Sequence, residues 1–291
     1  MKNFDEILSR LPDSICNELS QLPKPIINEL EEIRLRCGQN ITLHYGHKEK
    51  MLSKVITKVE LQQTLNSLIK YSYYAYEEDL AKGFVTISGG HRVGICGKTV
   101  ISNNMPILIK EISSMNIRFA KEIVGCANSL IPKLIVNNMP SNTLIVSPPG
   151  CGKTTLLRDI ARIISERGIK VAICDERSEI AGMYNSKPSF NIGCRTDILD
   201  GCDKYYGIPM LIRSMSPNVV ITDEIGKKSD IEIVEQCRST GVSIITSIHG
   251  YDIKDLENSK IYPLIKSKVF NNIVFLSNDN GPGTIKEIIS A

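Results

Sequence analysis

The run Ser147-Pro148-Pro149-Gly150-Cys151-Gly152-Lys153-Thr154-Thr155 restricts the fold more than any other part of this chain. An apolar stretch, Thr143-Leu144-Ile145-Val146, precedes it and reads as a buried parallel strand. After it, Leu156, Leu157, Ile160, Ala161, Ile163 and Ile164 recur at helical spacing between Lys153 and Arg167. A strand, a glycine-rich turn and Lys-Thr at a helix start together make a phosphate-binding loop. Gly150 and Gly152 let backbone N–H groups curl around phosphate oxygens where a side chain would clash. The helix amino end adds partial positive charge. The cradle therefore spans Pro149, Gly150, Cys151, Gly152, Lys153, Thr154 and Thr155.

In such a loop Lys153 bridges the β- and γ-phosphates of a nucleoside triphosphate, and the Thr154 hydroxyl ligates Mg²⁺. The position usually held by the first glycine is Ser147. That glycine serves the turn rather than the phosphates, so the expectation is a tolerated substitution with local backbone adjustment.

With 291 residues the chain is long enough for two cores. A net charge of +3 is too small to imply nucleic-acid or membrane binding by itself. Nine cysteines without a C-x-x-C pair, behind an acidic rather than apolar start, point to a reducing, cytosolic setting and mostly buried thiols. No run approaches the ~18 apolar residues of a membrane span.

Residues 1–30 read as short amphipathic helices broken by Pro12, Pro23 and Pro25. Glu31 to Cys37 alternates like a half-buried strand, and Ile41–Tyr45 follows as a second. A helix is expected over Lys58–Lys70, then a tyrosine cluster over 71–76 that suits packing better than base stacking. Gly89-Gly90 centres a hairpin, Ile112–Phe119 is a further strand, and 123–135 a helix. These observations predict an N-terminal α+β domain over 1–136, a hinge at 137–142 and an α/β ATPase domain with a parallel sheet over 143–291.

In an open parallel sheet the ligand lies at the carboxyl ends of the strands. Asp175, Glu176 and Glu179 follow one apolar run, Asp223 and Glu224 end another, and His249 ends a third. Asp223 suits the Mg²⁺ shell and Glu224 the attacking water. His249 falls beside the expected γ-phosphate. Charge opposite that phosphate has four candidate sources, Arg92, Arg118, Arg195 and Arg213. The stretch 182–206 is expected to be mobile, Ser229 to Glu232 to form a capping box, and the tail a hairpin around Asp279-Asn280-Gly281-Pro282-Gly283.

Four ordered blocks carry a family likeness: the phosphate loop, the acidic box Ile173 to Glu179, the carboxylate strand from Arg213 to Gly226, and a histidine box from Gly241 to His249. With them the chain resembles the secretion ATPases that power type II and type IV secretion and pilus assembly. Within that group it is most similar to a sporulation-associated branch. The signs are Gly89-Gly90-His91-Arg92-Val93-Gly94, Arg195-Thr196-Asp197 and Ser214-Met215-Ser216-Pro217. The resemblance implies a cytosolic ATPase using ATP and Mg²⁺. It implies a homo-oligomer, a hexameric ring, on the mother-cell side of a membrane-embedded channel into the forespore, powering assembly or transport without inserting into the membrane itself. By position, Lys153 and Thr154 bind nucleotide and metal, and Glu224, Glu176 or Glu179 serves as base. His249 senses the γ-phosphate, and Arg92 and Arg118 reach the site from the amino-terminal domain. The competing expectation is an ATPase that binds single-stranded nucleic acid through Arg34, Arg36 and the tyrosines.

Overall fold

The computed structural model describes residues 2–46, 48–102, 105–279 and 281–290. By packing, the chain divides into two compact units, 1–120 and 121–291, each with its own core.

The first unit opens with helices α1 (Lys2–Leu8), α2 (Asp13–Ser20) and α3 (Lys24–Glu29). Pro12 and Pro23 stand at the amino caps of α2 and α3, and Pro25 lies in the first turn of α3, where a missing N–H costs nothing. Strands β1 (Leu30–Arg36), β2 (Asn40–Tyr45) and β3 (Lys48–Val55) follow. β1 alternates as expected, with Ile33 and Leu35 buried between more exposed arginines. Helix α4 (Lys58–Leu68) starts at a capping box of Thr57 and Glu60. A 3₁₀ turn (Tyr73–Tyr76) and α5 (Glu77–Ala81) lead into β4 (Phe84–Ile87), β5 (His91–Ser102) and β6 (Met105–Arg118). β6 starts earlier than the expected strand because it pairs along most of β5. The sheet is antiparallel throughout, ordered β3-β2-β1-β6-β5-β4. The tyrosine cluster is split: Tyr76 packs against the core, whereas Tyr74 is 91% exposed.

In the second unit the helix expected over 123–135 shrinks to α6 (Ile131–Leu134). Gly125 takes φ +89° and Pro132 supplies no N–H, so a longer helix is blocked. Ala127, Leu130, Ile131 and Leu134 join the core built around α7, within the unit 121–291. Strands β7 (Ile135–Val136) and β8 (Met139–Pro140) form a small hairpin where a hinge was expected. Asn137 and Asn138 both take positive φ at its tip, as a two-residue hairpin turn requires.

The central elements are β9 (Thr143–Ser147), α7 (Lys153–Glu166), β10 (Val171–Asp175), the short pair β11 (Met183–Tyr184) and β12 (Lys187–Pro188), and β13 (Thr196–Asp200). Next come α8 (Lys204–Met215), β14 (Val219–Glu224), α9 (Ser229–Ser239) and β15 (Ser243–His249). Helices α10 (Ile253–Glu257) and α11 (Tyr262–Lys266) precede the closing hairpin of β16 (Asn272–Ser277) and β17 (Thr284–Ser290). In the expected tail turn, Asn280 lies outside the described residues. The capping box at Ser229 does not form; the Asp230 carboxylate accepts the Gly226 and Lys227 N–H groups instead, at 2.7 and 2.8 Å.

The sheet order is β13-β10-β14-β15-β9-β16-β17, parallel from β13 through β16, with β17 antiparallel at the edge. Strands β9 and β10 are buried along their whole length, as strands covered on both faces must be. Alternate residues serve the two layers. Ile145, Ile173, Ile221 and Ile245 meet α7, while Leu144, Ala172, Val220 and Ile244 share a core with α8 and α9. This is the P-loop ATPase fold, a mostly parallel sheet with helices on both faces.

Of the nine free cysteines, only Cys151, Cys174 and Cys237 are buried, so the expectation of mostly buried thiols does not hold. No helix among the described residues is long and apolar enough to cross a membrane.

Candidate nucleotide-binding site

The loop between β9 and α7 has the conformation its glycines predict. Gly150 and Gly152 take φ +76° and +82°, and Gly152 caps α7 without any side-chain bond to the first-turn N–H groups. A Cβ on Gly150 would meet nothing within 4 Å, so the cradle is open on that side. Ser147 is explained by its backbone. It is the buried last residue of β9, opposite His249 in β15, with an ordinary strand φ that needs no glycine.

The closing hairpin reaches this loop. Gly283 N–H donates to the Cys151 carbonyl at 2.8 Å. Because the peptide is planar and trans, holding that carbonyl turns the Gly152 N–H to the opposite side.

Lys153 Nζ donates to the Ser147 and Pro148 carbonyls, at 3.3 and 3.5 Å, and lies 2.9 Å from His249 Nδ1. His249 Nε2 is 2.9 Å from Glu224 Oε2. An ammonium donating to Nδ1 leaves the proton on Nε2, so the ring donates onward to Glu224. Lysine, imidazole and carboxylate, from α7, β15 and β14, thus form one chain at the carboxyl edge of the sheet. Burial lowers the Lys153 ammonium, with the negative charges of Glu224 and Glu179 opposing.

The acidic box divides by role. Asp175 is fully buried at the end of β10, and its carboxylate accepts the Glu179, Ile180 and Ala181 N–H groups at 2.9, 3.0 and 2.8 Å. Burial pushes it up to about 6 in spite of those donors. It builds the turn that presents Glu176 and Glu179. Glu176 is bonded to Lys204, a buried lysine in the first turn of α8. Lys204 Nζ also stands 3.8 Å from Asp223 Oδ1. That oxygen is buried and has no hydrogen-bond partner among the described residues, and burial pushes Asp223 up to about 6.

An orphaned carboxylate oxygen at a strand end beside an open cradle fits Mg²⁺. No group of three or more His, Cys, Asp or Glu among the described residues could hold a metal alone. The donor set suits an ion that takes the rest of its shell from phosphate and water, and Thr154 and Asp223 are the residues that would hold it.

The arginines separate. Arg195 precedes β13 at the amino edge of the sheet, where its carbonyl accepts from Val171 and its N–H donates to Ser165 Oγ. The parallel pairing of β13 with β10 puts it at the wrong edge, so its own loop is out of reach. Arg213 is exposed in the last turn of α8. Arg92 and Arg118 are cross-strand neighbours in the first unit; the Arg92 guanidinium lies 3.8 Å over the Phe84 ring, and Arg118 is 3.6 Å from Glu32.

Two residues of the site were not read from the sequence. Lys204 is one, and Arg158 on α7 is the other, donating from the phosphate helix to the acidic turn. The only sequence signal for Arg158 is its spacing, one helical turn beyond Thr154 on the same face.

The profile of a family described as Sporulation stage III, protein AA matches residues 1–291. Stage III sporulation protein AA of Bacillus subtilis (strain 168) is 41% identical over 290 residues, covering 98% of this chain and 94% of that protein. Among solved structures, the Yersinia pseudotuberculosis ATPase DotB aligns with a TM-score of 0.62 at 14% identity, over 91% of this chain and 75% of that one. The pilus retraction motor PilT with bound ADP aligns with a TM-score of 0.57 at 13% identity, over 87% and 76%. At these identities the structural likeness is one of fold.

Proposed function

Since the chain belongs to the sporulation stage III, protein AA family and has the fold of secretion ATPases, we propose that it is a Mg²⁺-dependent ATPase. The carrying observation is the Lys153–His249–Glu224 chain beside the open glycine cradle. The first-turn N–H groups of α7 and the inward Gly152 N–H bind phosphate oxygens, and Lys153 leaves its loop carbonyls for the β- and γ-phosphates. His249, tied to both Lys153 and Glu224, registers the γ-phosphate. Thr154 and Asp223 would hold Mg²⁺, which would supply neutralising charge at the phosphates.

Three carboxylates compete for the attacking water. Glu179 and Glu224 both act on the Lys153 charge. Glu179 alone of the three stands on a turn held through its peptide N–H by Asp175 and its carbonyl by Arg158, which suits a residue that must hold a water in one place. We assign it that role. Arg92 or Arg118, and Arg195 from a neighbouring copy, are the candidates for the transition-state cation.

At the level of assembly, the reading is a hexameric ring on the cytoplasmic, mother-cell face of a membrane-embedded channel, powering assembly or transport across it. PilT with ADP supports a nucleotide-driven motor by likeness of fold alone.

Phosphate release from the wild type, Lys153→Ala and Glu179→Gln, with light scattering in the presence and absence of ATP, tests this. Turnover lost in Lys153→Ala, turnover sharply reduced but measurable in Glu179→Gln, and an ATP-dependent hexamer are expected. Turnover undiminished in Lys153→Ala refutes it, and a mobility shift with single-stranded oligonucleotide would favour the nucleic-acid alternative.

A further inference from the structure

Arg158 is 5% exposed, yet its guanidinium donates to three backbone carbonyls: Ile180 at 2.7 Å, Glu179 at 2.8 Å and Lys121 at 2.7 Å. Its planar group also lies 3.6 Å over the Phe190 ring. Burying a guanidinium is costly, and charge pairing is the usual compensation. Here Glu122 and Asp175 act on its charge, and its forked donors also contact the successive Glu179 and Ile180 carbonyls, a geometry that a lysine cannot reproduce. The same turn is held from its N–H side by the Asp175 carboxylate. Glu179 therefore stands on a peptide segment gripped on one side by β10 and on the other by α7. Arg158 follows Thr154 by one turn of a single continuous helix, so a shift of the phosphate end of α7 moves the guanidinium with it.

The geometry points to Arg158 as a positioning residue that makes the placement of the Glu179 carboxylate follow the phosphate helix. The inference rests on the ATPase reading and on Glu179 as the water-orienting group. Nucleotide binding and catalytic alignment are then coupled through one side chain that touches neither phosphate nor water.

The test uses the full chain as wild type, Arg158→Lys, Glu179→Gln and the double variant. A fluorescent ATP analogue reads affinity, phosphate release reads turnover, and amide hydrogen exchange reads the turn. Arg158→Lys is expected to bind the analogue nearly as well as wild type and to lose about 100-fold in turnover, the scale of an ångström-sized misplacement. The double variant should be no slower than Glu179→Gln alone, because Arg158 acts through Glu179. Faster exchange is expected at the Glu179, Ile180 and Ala181 amides. Wild-type turnover in Arg158→Lys, losses that multiply in the double variant, or loss of analogue binding would overturn the inference. Should the wild type release no phosphate, the ATPase reading falls separately, and unchanged exchange at those amides still overturns the clamp. If Arg158→Lys does not fold, Phe190→Leu withdraws only the ring beneath the guanidinium. A smaller loss in the same direction is then expected, and no change counts against the proposal.

Discussion

Two strand ends in the same sheet carry an aspartate, and they have opposite surroundings. Asp175, at the end of β10, receives a full set of backbone donors from the turn that follows it. Asp223, in the neighbouring strand β14, keeps one oxygen without a hydrogen-bond donor among the described residues, with Lys204 standing off at 3.8 Å. Burial pushes both carboxyls up to about 6. The difference separates two uses of one residue type: an acid whose partners fold with it, and an acid left short of partners that a ligand must supply.

The comparison breaks most sharply if the first acid is removed. Asp175→Ala orphans three N–H donors, two of them in buried hydrogen bonds, so urea denaturation should show a loss of about 3 kcal/mol or more. A loss no larger than that of Asp223→Ala would erase the distinction.

Asp223→Asn should act in the other sense, stabilising the ligand-free protein at neutral pH by on the order of 2 kcal/mol while raising the Mg²⁺ concentration that turnover requires. The linkage fixes the pH window. Asp223 titrates at about 6 in the folded chain against an ordinary value of 3.8, so between these values the folded state holds more protons than the unfolded. Stability accordingly falls as pH rises from about 4 to about 6 and is flat above. Asp175 contributes in the same window, so Asp223→Asn should leave a shallower slope, and an unaltered slope would place the titration elsewhere.

A third strand end gives the smallest effect. Ser147→Gly restores the usual loop glycine but puts it in a strand, where it should cost roughly 0.5–1 kcal/mol with no gain in nucleotide affinity. Tighter analogue binding would mean that the turn does need the glycine.

The strand ends were legible because parallel strands buried on both faces read as unbroken apolar runs, and their polar tips then stand out, as at Asp223-Glu224 and His249. Arg158 was not legible, because it falls in an otherwise ordinary amphipathic helix and its carbonyl partners lie on a turn far along the chain. Lys204 was hidden for the same reason, its partners coming from two separate strand ends. β13 escaped notice because an edge strand has one neighbour and a mixed pattern, Thr196-Asp197-Ile198-Leu199-Asp200. The capping box at Ser229 failed because Asp230, one residue on, reached two N–H groups at once.

The hydrogen bond from Gly283 to the Cys151 carbonyl joins the loop to a segment made long after it. During synthesis the lysine, the threonine and the glycines emerge well before the strand that steadies them. A nascent chain halted short of the last hairpin would carry the whole motif in its sequence and still lack one of the braces on its cradle. The cradle then reaches its folded form only after β16 and β17 have been added to the sheet.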